Sequence, residues 1–387
     1  MKYPLVAMFI TFTVFAVANS FSNLFLTTYI WKHHSSLTIV GLFQIASFFF
    51  TFVGILIGAF IIRWQGSRLN FIISSSFALG LYSFLTMVPI SKTSDVVLAG
   101  VANGLYIGLF FAGMNFYSVW FSEQEELSSV ISMQYFINAT VQLLVPVLSG
   151  WFIFLHGYNK AFILAVIIVL VQMFCSIATP QVRIREPYRR KGFFIPENQK
   201  MKSLGVSAAS FGFFYAFVYM SVSVFVYMNV QKESTLGEWN TIFALLTVLT
   251  YFLLGKKMLQ PFKETIAVLG VIISTVVTFT LFFPYSIAFI IFNVIISISL
   301  PMMWIPTFTL HYQTIKEQVH RARANPLTLM MQLIVFREFY LCVGRVLFLL
   351  LLLVTVTYVT NVFLAILVMF LSFMPVCIYL FGKRAGV

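Results

Sequence analysis

The sequence predicts an all-α membrane protein of twelve transmembrane helices, and three observations predict it. Of 387 residues, 60% are apolar and only 9% are charged, whereas a water-soluble domain carries about 25% charged residues. Polar breaks cut the chain into apolar runs suited to a hydrocarbon core about 30 Å thick. Basic residues are dense in one set of alternate loops and sparse in the other, as in multi-pass proteins. A soluble enzyme is excluded by this composition. So are a disordered chain and a disulfide scaffold, with 3 cysteines, 20 glycines, 12 prolines and no low-complexity tract.

The runs fall near 4–30, 37–62, 71–90, 96–120, 127–154, 161–179, 203–229, 241–254, 265–283, 287–311, 327–354 and 362–381. Ala16-Val17-Ala18 in the first resembles a signal-peptidase site. The apolar run continues through Tyr29, so the segment is expected to stay as an uncleaved helix. Eighteen basic residues lie at the N-terminus, in the loops after runs two, six, eight and ten, and at the C-terminus; only Lys32, Lys92, Lys160 and Lys232 lie in the others. By the positive-inside rule both termini are expected in the cytoplasm of a plasma-membrane protein. The net charge of +13 then reflects topology, and no nucleic-acid partner is expected.

The longest loop, 181–202, is basic and separates six runs from six. This predicts an N-terminal bundle over 1–180, a linker over 181–202 and a C-terminal bundle over 203–387, with an internal duplication. Asn103 against Asn293, and Asn138 against Glu338, are candidate equivalent pairs. Ile315, Val319 and Ala322 share a face opposite basic residues, which predicts a helix in the headgroup layer. Pro301 and Pro306 predict an interrupted tenth helix.

Six-plus-six spans, a basic central loop and the turn Gly58-Ala-Phe-Ile-Ile-Arg63-Trp-Gln-Gly66-Ser-Arg68 resemble the major facilitator superfamily. The resemblance implies a secondary transporter that works by alternating access, and a gating role for Gly58, Arg63, Gly66 and Arg68. The family's turn carries a carboxylate that helps latch the two halves; here Ile62 or Arg63 occupies its place. In the fourth run Gly100 stands where the family's arginine motif has its arginine. Val145-Pro146-Val-Leu-Ser149-Gly150 is similar to an element common in exporters, which implies export ahead of uptake. Asn19-Ser-Phe-Ser-Asn23 with Tyr29-Ile-Trp31-Lys32 resembles a poorly characterised bacterial branch of these transporters.

Polar side chains inside a span should face partner helices or a wet cavity, because lipid cannot satisfy them. Three stripes have i, i+4 spacing: Asn19, Asn23 and Thr27; Gln134, Asn138 and Gln142; Tyr215, Tyr219, Ser223 and Tyr227. Each is readable as cavity lining or as interhelical hydrogen bonding. Asn103, Asn293 and Trp304 are further candidates for substrate binding. The strongest feature is Arg337-Glu338 with Arg345 in the eleventh run, since charge within a span is costly and usually functional. Glu338, the only acidic residue in any run, is the candidate proton carrier with Arg337 beside it. A later helix start would instead put both at the cytoplasmic interface. Arg345 lies inside the run under either register. It is a structural partner of backbone carbonyls or a ligand for an anionic or polar headgroup.

The cysteines lack metal or disulfide spacing, and HExxH, Walker A and GxSxG are absent. No cofactor and no enzymatic reaction are expected. The expected partners are the lipid bilayer, a proton gradient and a small solute, uncharged, amphipathic or lipid-like, handled by a monomer. The competing class is a non-transporting polytopic protein, a sensor or assembly factor.

Overall fold

A computed structural model describes residues 3–88, 90–121, 127–184, 186, 188, 193–254, 262–282, 286–321, 325–358 and 361–386. Every regular element among them is helical. Several residues counted in the sequence lie outside them: the basic residues Lys2, Arg185, Arg189, Arg190, Lys191, Lys256, Lys257 and Arg323, and Ala322.

The first rod, α1, runs as Tyr3–Phe21, passes through a wide π turn at Ser22–Leu26 and continues as Thr27–His34. Ser35, at φ 46°, ends it, and the Ser36 hydroxyl accepts from the Ile39 N–H to start α2, Leu37–Trp64. Gly66, at φ 100°, turns the chain into α3, Ser67–Met87. Asp95 caps α4, Thr93–Trp120, by accepting from the Lys92 N–H at 3.2 Å. The helix Leu127–Ile177 is broken at Gly157, whose φ of 79° few other residues adopt; α5 is 127–156 and α6 is 158–177.

In the second half, the Asn198 side chain caps α7 by accepting from the Met201 N–H at 2.9 Å. That rod starts at Gln199, inside the expected linker, and carries its own π turn at Ser221–Val226 before ending at Val230. Then follow α8, Glu233–Leu254; α9, Lys263–Thr278 with a tight extension Phe279–Phe282; α10, Ser286–Arg321; α11, Pro326–Tyr358; and α12, Asn361–Gly386. Among the described residues, ten helices are long and apolar enough to cross a membrane.

Two expectations are corrected here. Helix α10 is continuous through Pro301 and Pro306. Pro301 has no N–H for the Ser297 carbonyl, but Thr247 of α8 donates to that oxygen at 3.1 Å, so a neighbouring hydroxyl replaces the lost bond. The segment expected in the headgroup layer is the last part of the same helix. Ile315 and Val319 are buried against Met201, Leu204, Met330 and Ile334 rather than turned to lipid.

Packing joins α2 to α4, α1 and α3 to α6, and α3 to α4 in the first half, and α7 to α11 and α12, and α10 to α9, α8 and α12, in the second. The two halves meet chiefly through α5 against α8 and α2 against α11. Several of these contacts bring backbones together, which requires small residues. A Cβ on Gly344 would overlap the Ala209 carbonyl of α7, and one on Gly108 would overlap the Thr51 carbonyl of α2. Around the outside, Leu148, Phe174, Phe252 and Phe373 belong to a large exposed apolar surface, as a lipid-facing belt requires.

Candidate functional site

Between the halves lies a cavity of about 410 Å³, within the range of about 300–1,000 Å³ typical of small-molecule sites. Its wall takes Asn19 from α1; Asn138 and Gln142 from α5; Tyr215 and Tyr219 from α7; Asn293 and Trp304 from α10; and Arg337, Glu338 and Arg345 from α11. An adjoining chamber of about 250 Å³ shares part of this wall and adds Ser20, Ser223 and Asn240. Two sequence candidates sit behind the wall. Thr27 is buried, accepts from Gln44 Nε2 at 2.9 Å and lies 3.3 Å from the Tyr219 hydroxyl. Its contribution is to hold two lining side chains in place. Asn103 faces α2 instead of the cavity, donating to the Ser47 hydroxyl at 2.9 Å; its helix turns that face to a packing seam. The side chain of Asn23 lies outside the described residues.

The wall also contains residues that the sequence reading passed over. Gln44, Ser47, Phe48, Thr51 and Ile55 of α2 line it. Their i, i+3, i+4, i+7, i+11 spacing is a helical stripe that a strongly apolar run conceals. Tyr135 accepts from Trp304 Nε1 at 2.6 Å, across the boundary between halves, and its ring stacks on Tyr251 at 5.9 Å. Tyr312 donates to Asn115 at 3.3 Å, again between halves.

Arg337 and Glu338 form an ion pair at 2.7 Å, with side chains 2% and 10% exposed. Consecutive positions point about 100° apart on a helix, yet the two long side chains converge. The Arg337 guanidinium also lies 4.3 Å from the Phe308 ring centroid and 4.9 Å from that of Tyr312, placing aromatic faces against the cation. His311 nearby is buried, with Nε2 2.9 Å from the Ser207 hydroxyl. Arg345 sits between the Phe48 and Tyr215 rings, 5.3 and 5.2 Å from their centroids.

Part of the cavity wall reaches toward one face. Phe12 is near the start of α1, Phe111 and Asn115 near the end of α4, Gln134 near the start of α5 and Tyr312 near the end of α10. All these ends belong to the face rich in basic residues. At the opposite face Lys32, ending α1, bonds Glu233, starting α8, at 2.8 Å. Tyr158 and Tyr227 donate to the same carboxylate oxygen at 3.3 and 3.4 Å. That cluster ties the halves together at that face.

The expected gating turn docks within its own half. Ser67 N–H donates to the Val182 carbonyl at 2.9 Å, and the Val182 N–H returns a bond to the Ser67 hydroxyl at 3.0 Å. Arg68 Nε donates to the Thr179 carbonyl at 3.0 Å, and Arg183 Nε to that of Arg63 at 3.1 Å. A Cβ on Gly58 would crowd Ala112 and Asn70. The turn, lacking its carboxylate, therefore anchors the start of the linker. Tyr188 donates to the Ala59 carbonyl at 2.7 Å. Burial pushes its hydroxyl above the ordinary tyrosine value, against the opposing pull of Arg63. Further along, Phe194 packs on Phe339 at 5.0 Å and on Phe52 at 6.3 Å, so the linker bridges α2 and α11.

Comparison with known proteins agrees with this architecture. The model of the Major Facilitator Superfamily matches residues 5–334. The chain is also 18% identical over 340 residues to Uncharacterized protein YqgE of Bacillus subtilis (strain 168), an alignment covering 86% of this chain and 78% of that one. With a family match across most of its length and long apolar helices around a polar cavity, the chain belongs to the Major Facilitator Superfamily, whose members are multi-pass secondary transporters.

Proposed function

We propose that this protein moves a small amphipathic solute by alternating access, with residues 1–180 rocking against 203–387 around the cavity and with protons driving the cycle through Glu338. The observation that carries this reading is the buried Arg337–Glu338 pair in the wall of a cavity between the halves. The rods α1 to α12 serve as twelve spans with both termini cytoplasmic; the distribution of basic residues supports that orientation. The cavity then extends toward the cytoplasm, and the Lys32–Glu233 cluster closes the outer face.

Each proposed site residue has a part in this cycle. Asn19, Asn138, Gln142, Tyr215, Tyr219, Ser223, Asn293 and Trp304 offer the solute hydrogen bonds and ring faces, with Thr27 bracing Tyr219. When Glu338 is ionised it holds Arg337; when protonated it releases that guanidinium, changing the charge of the wall by one unit. Export is the favoured direction on the Val145–Gly150 resemblance. In that element, Pro146 and Gly150 sit where α5 and α8 make backbone contact, opposite Gly237 and Glu233. Uptake with the same coupling is the alternative direction.

Flux in proteoliposomes under an imposed pH gradient tests the reading. A panel of amphipathic solutes is expected to show gradient-driven movement in the wild type. Glu338→Gln is expected to abolish the dependence on the gradient while the protein stays monodisperse. Wild-type flux in that variant removes Glu338 from the mechanism, and no gradient-driven flux of any solute in the wild type removes proton coupling.

A further inference from the structure

The charges in the cavity wall do not balance. Arg337, Glu338 and Arg345 are its charged side chains among the described residues, and Glu338 is taken by Arg337 at 2.7 Å. Arg345 lies seven residues further along α11, about 10 Å along the axis, and no described carboxylate lies within ion-pair distance of it. Its partners are the faces of Phe48 and Tyr215. A ring quadrupole attracts the cation but supplies no countercharge. The Arg345 Nε is buried and has no hydrogen-bond partner among the described residues. With Glu338 ionised, the wall carries one net positive charge in a chamber otherwise lined by aromatic and amide groups.

We propose that Arg345 is the binding site for a single negative head on the transported solute: a carboxylate or monoanionic phosphate ester attached to an apolar or aromatic body. The inference rests on the cavity reading above and sharpens its solute class from amphipathic to monoanionic and amphipathic. A guanidinium offers a planar fork that matches such a head with two parallel N–H···O bonds. Phe48 and Tyr215 fix the plane of the fork, and Phe15, Ile107 and Phe111 provide an apolar surface for the body. One anionic charge neutralises the wall. A second would add an uncompensated charge near Glu338, so dianions are disfavoured.

The test is thermal unfolding of the full chain purified in a neutral detergent, because a ligand that binds the folded state raises the midpoint. Matched probes share one body and differ only in the head: 4-phenylbutanoate, 4-phenylbutanol and (2-phenylethyl)malonate, with decanoate, decanol and the diester decyl methyl phosphate as the alkyl set. The monocarboxylates are expected to raise the midpoint in a concentration-dependent way, and the alcohols and the dicarboxylate are expected not to. Decyl methyl phosphate, a monoanion, distinguishes a phosphate head from a carboxylate, and stabilisation by either monoanion supports the site. Arg345→Gln is expected to weaken binding about tenfold to a hundredfold, the scale of a charge-assisted hydrogen bond.

Equal stabilisation by the alcohols, or by the dicarboxylate, overturns the proposal, as does an unchanged response in Arg345→Gln. The wild-type comparison decides the matter even where that variant fails to fold. Failure of the transport reading looks different: a monoanion that stabilises the protein but never crosses proteoliposomes leaves the site standing and removes the transport of that solute.

Discussion

Among the described residues two ion pairs involve a buried carboxylate, and they are built in opposite ways. Lys32–Glu233 joins the two halves at the face opposite the basic loops; its lysine is 52% exposed and its glutamate 8%. Arg337–Glu338 joins neighbours on a single helix, and both side chains are almost wholly enclosed in the cavity wall. The first can exchange its cation for water as the halves part, because Tyr227, which lies in the same half as Glu233, still hydrogen-bonds the carboxylate. The second has no such exit: Arg337 is enclosed by Phe308 and Tyr312, and its Nε and one Nη are without hydrogen-bond partners among the described residues. A pair that spans moving parts suits a latch, whereas a pair confined to one helix is suited to sensing a proton or a ligand. Breaking the latch should cost little, and breaking the sensor should cost much.

The largest expected effect is therefore at Arg337. Arg337→Leu strands a buried carboxylate and is expected to destabilise the protein by about 3–5 kcal/mol, the usual penalty for halving a buried pair. Arg337→Leu combined with Glu338→Leu is expected to regain most of that loss, because no buried charge is left uncompensated. Thermal midpoints in detergent measure both. If the single and double variants unfold alike, the two side chains are not coupled and the sensor description fails. At the other pair, Glu233→Gln retains the shape and part of the hydrogen bonding but loses the charge. It is expected to cost about 1.5–3 kcal/mol, the range for hydrogen bonds to a charged group, with the same measurement.

The contrast between these pairs was only half visible in the sequence, and the reason is physical. Charge inside an apolar run is conspicuous because lipid cannot solvate it, so Arg337, Glu338 and Arg345 stood out. Glu233 did not, since it lies between apolar runs, where a carboxylate ordinarily meets water. Its burial comes from the ends of α1, α6 and α7 converging on one point, a long-range event that local pattern does not encode. The same limit separates Asn138 and Asn103. Both are amides within apolar runs, yet one lines the cavity and the other faces Ser47 across a glycine seam. Which face of a helix looks inward depends on its neighbours, and Gly104 and Gly108 mark the packed face of α4. The helices themselves were legible from hydrophobic length alone. Their continuity through Pro301 was not, because the hydroxyl that bonds the orphaned carbonyl belongs to another helix.

The smallest effect expected is at Lys32, and it sharpens the comparison most because it separates stability from conformation. Lys32→Ala removes a half-exposed cation, and exposed pairs are typically worth about 1 kcal/mol or less. Its thermal midpoint should fall slightly, and the difference from wild type should vanish as salt rises toward about 1 M, where screening acts within about 3 Å. The same variant should still loosen the closed outer face, because it deletes a cation that bridges α1 to α8 there. A cysteine placed at Ser223, in the wall of the smaller chamber, is expected to react faster with a membrane-impermeant maleimide applied from outside when Lys32 is alanine. Exchanging the charges, Lys32→Glu with Glu233→Lys, should restore the slow labelling if attraction between the two ends is what keeps that face shut. Labelling that is fast in the charge-exchanged protein would mean that the carboxylate and its tyrosines close the face unaided, and the lysine would then have no part in the latch.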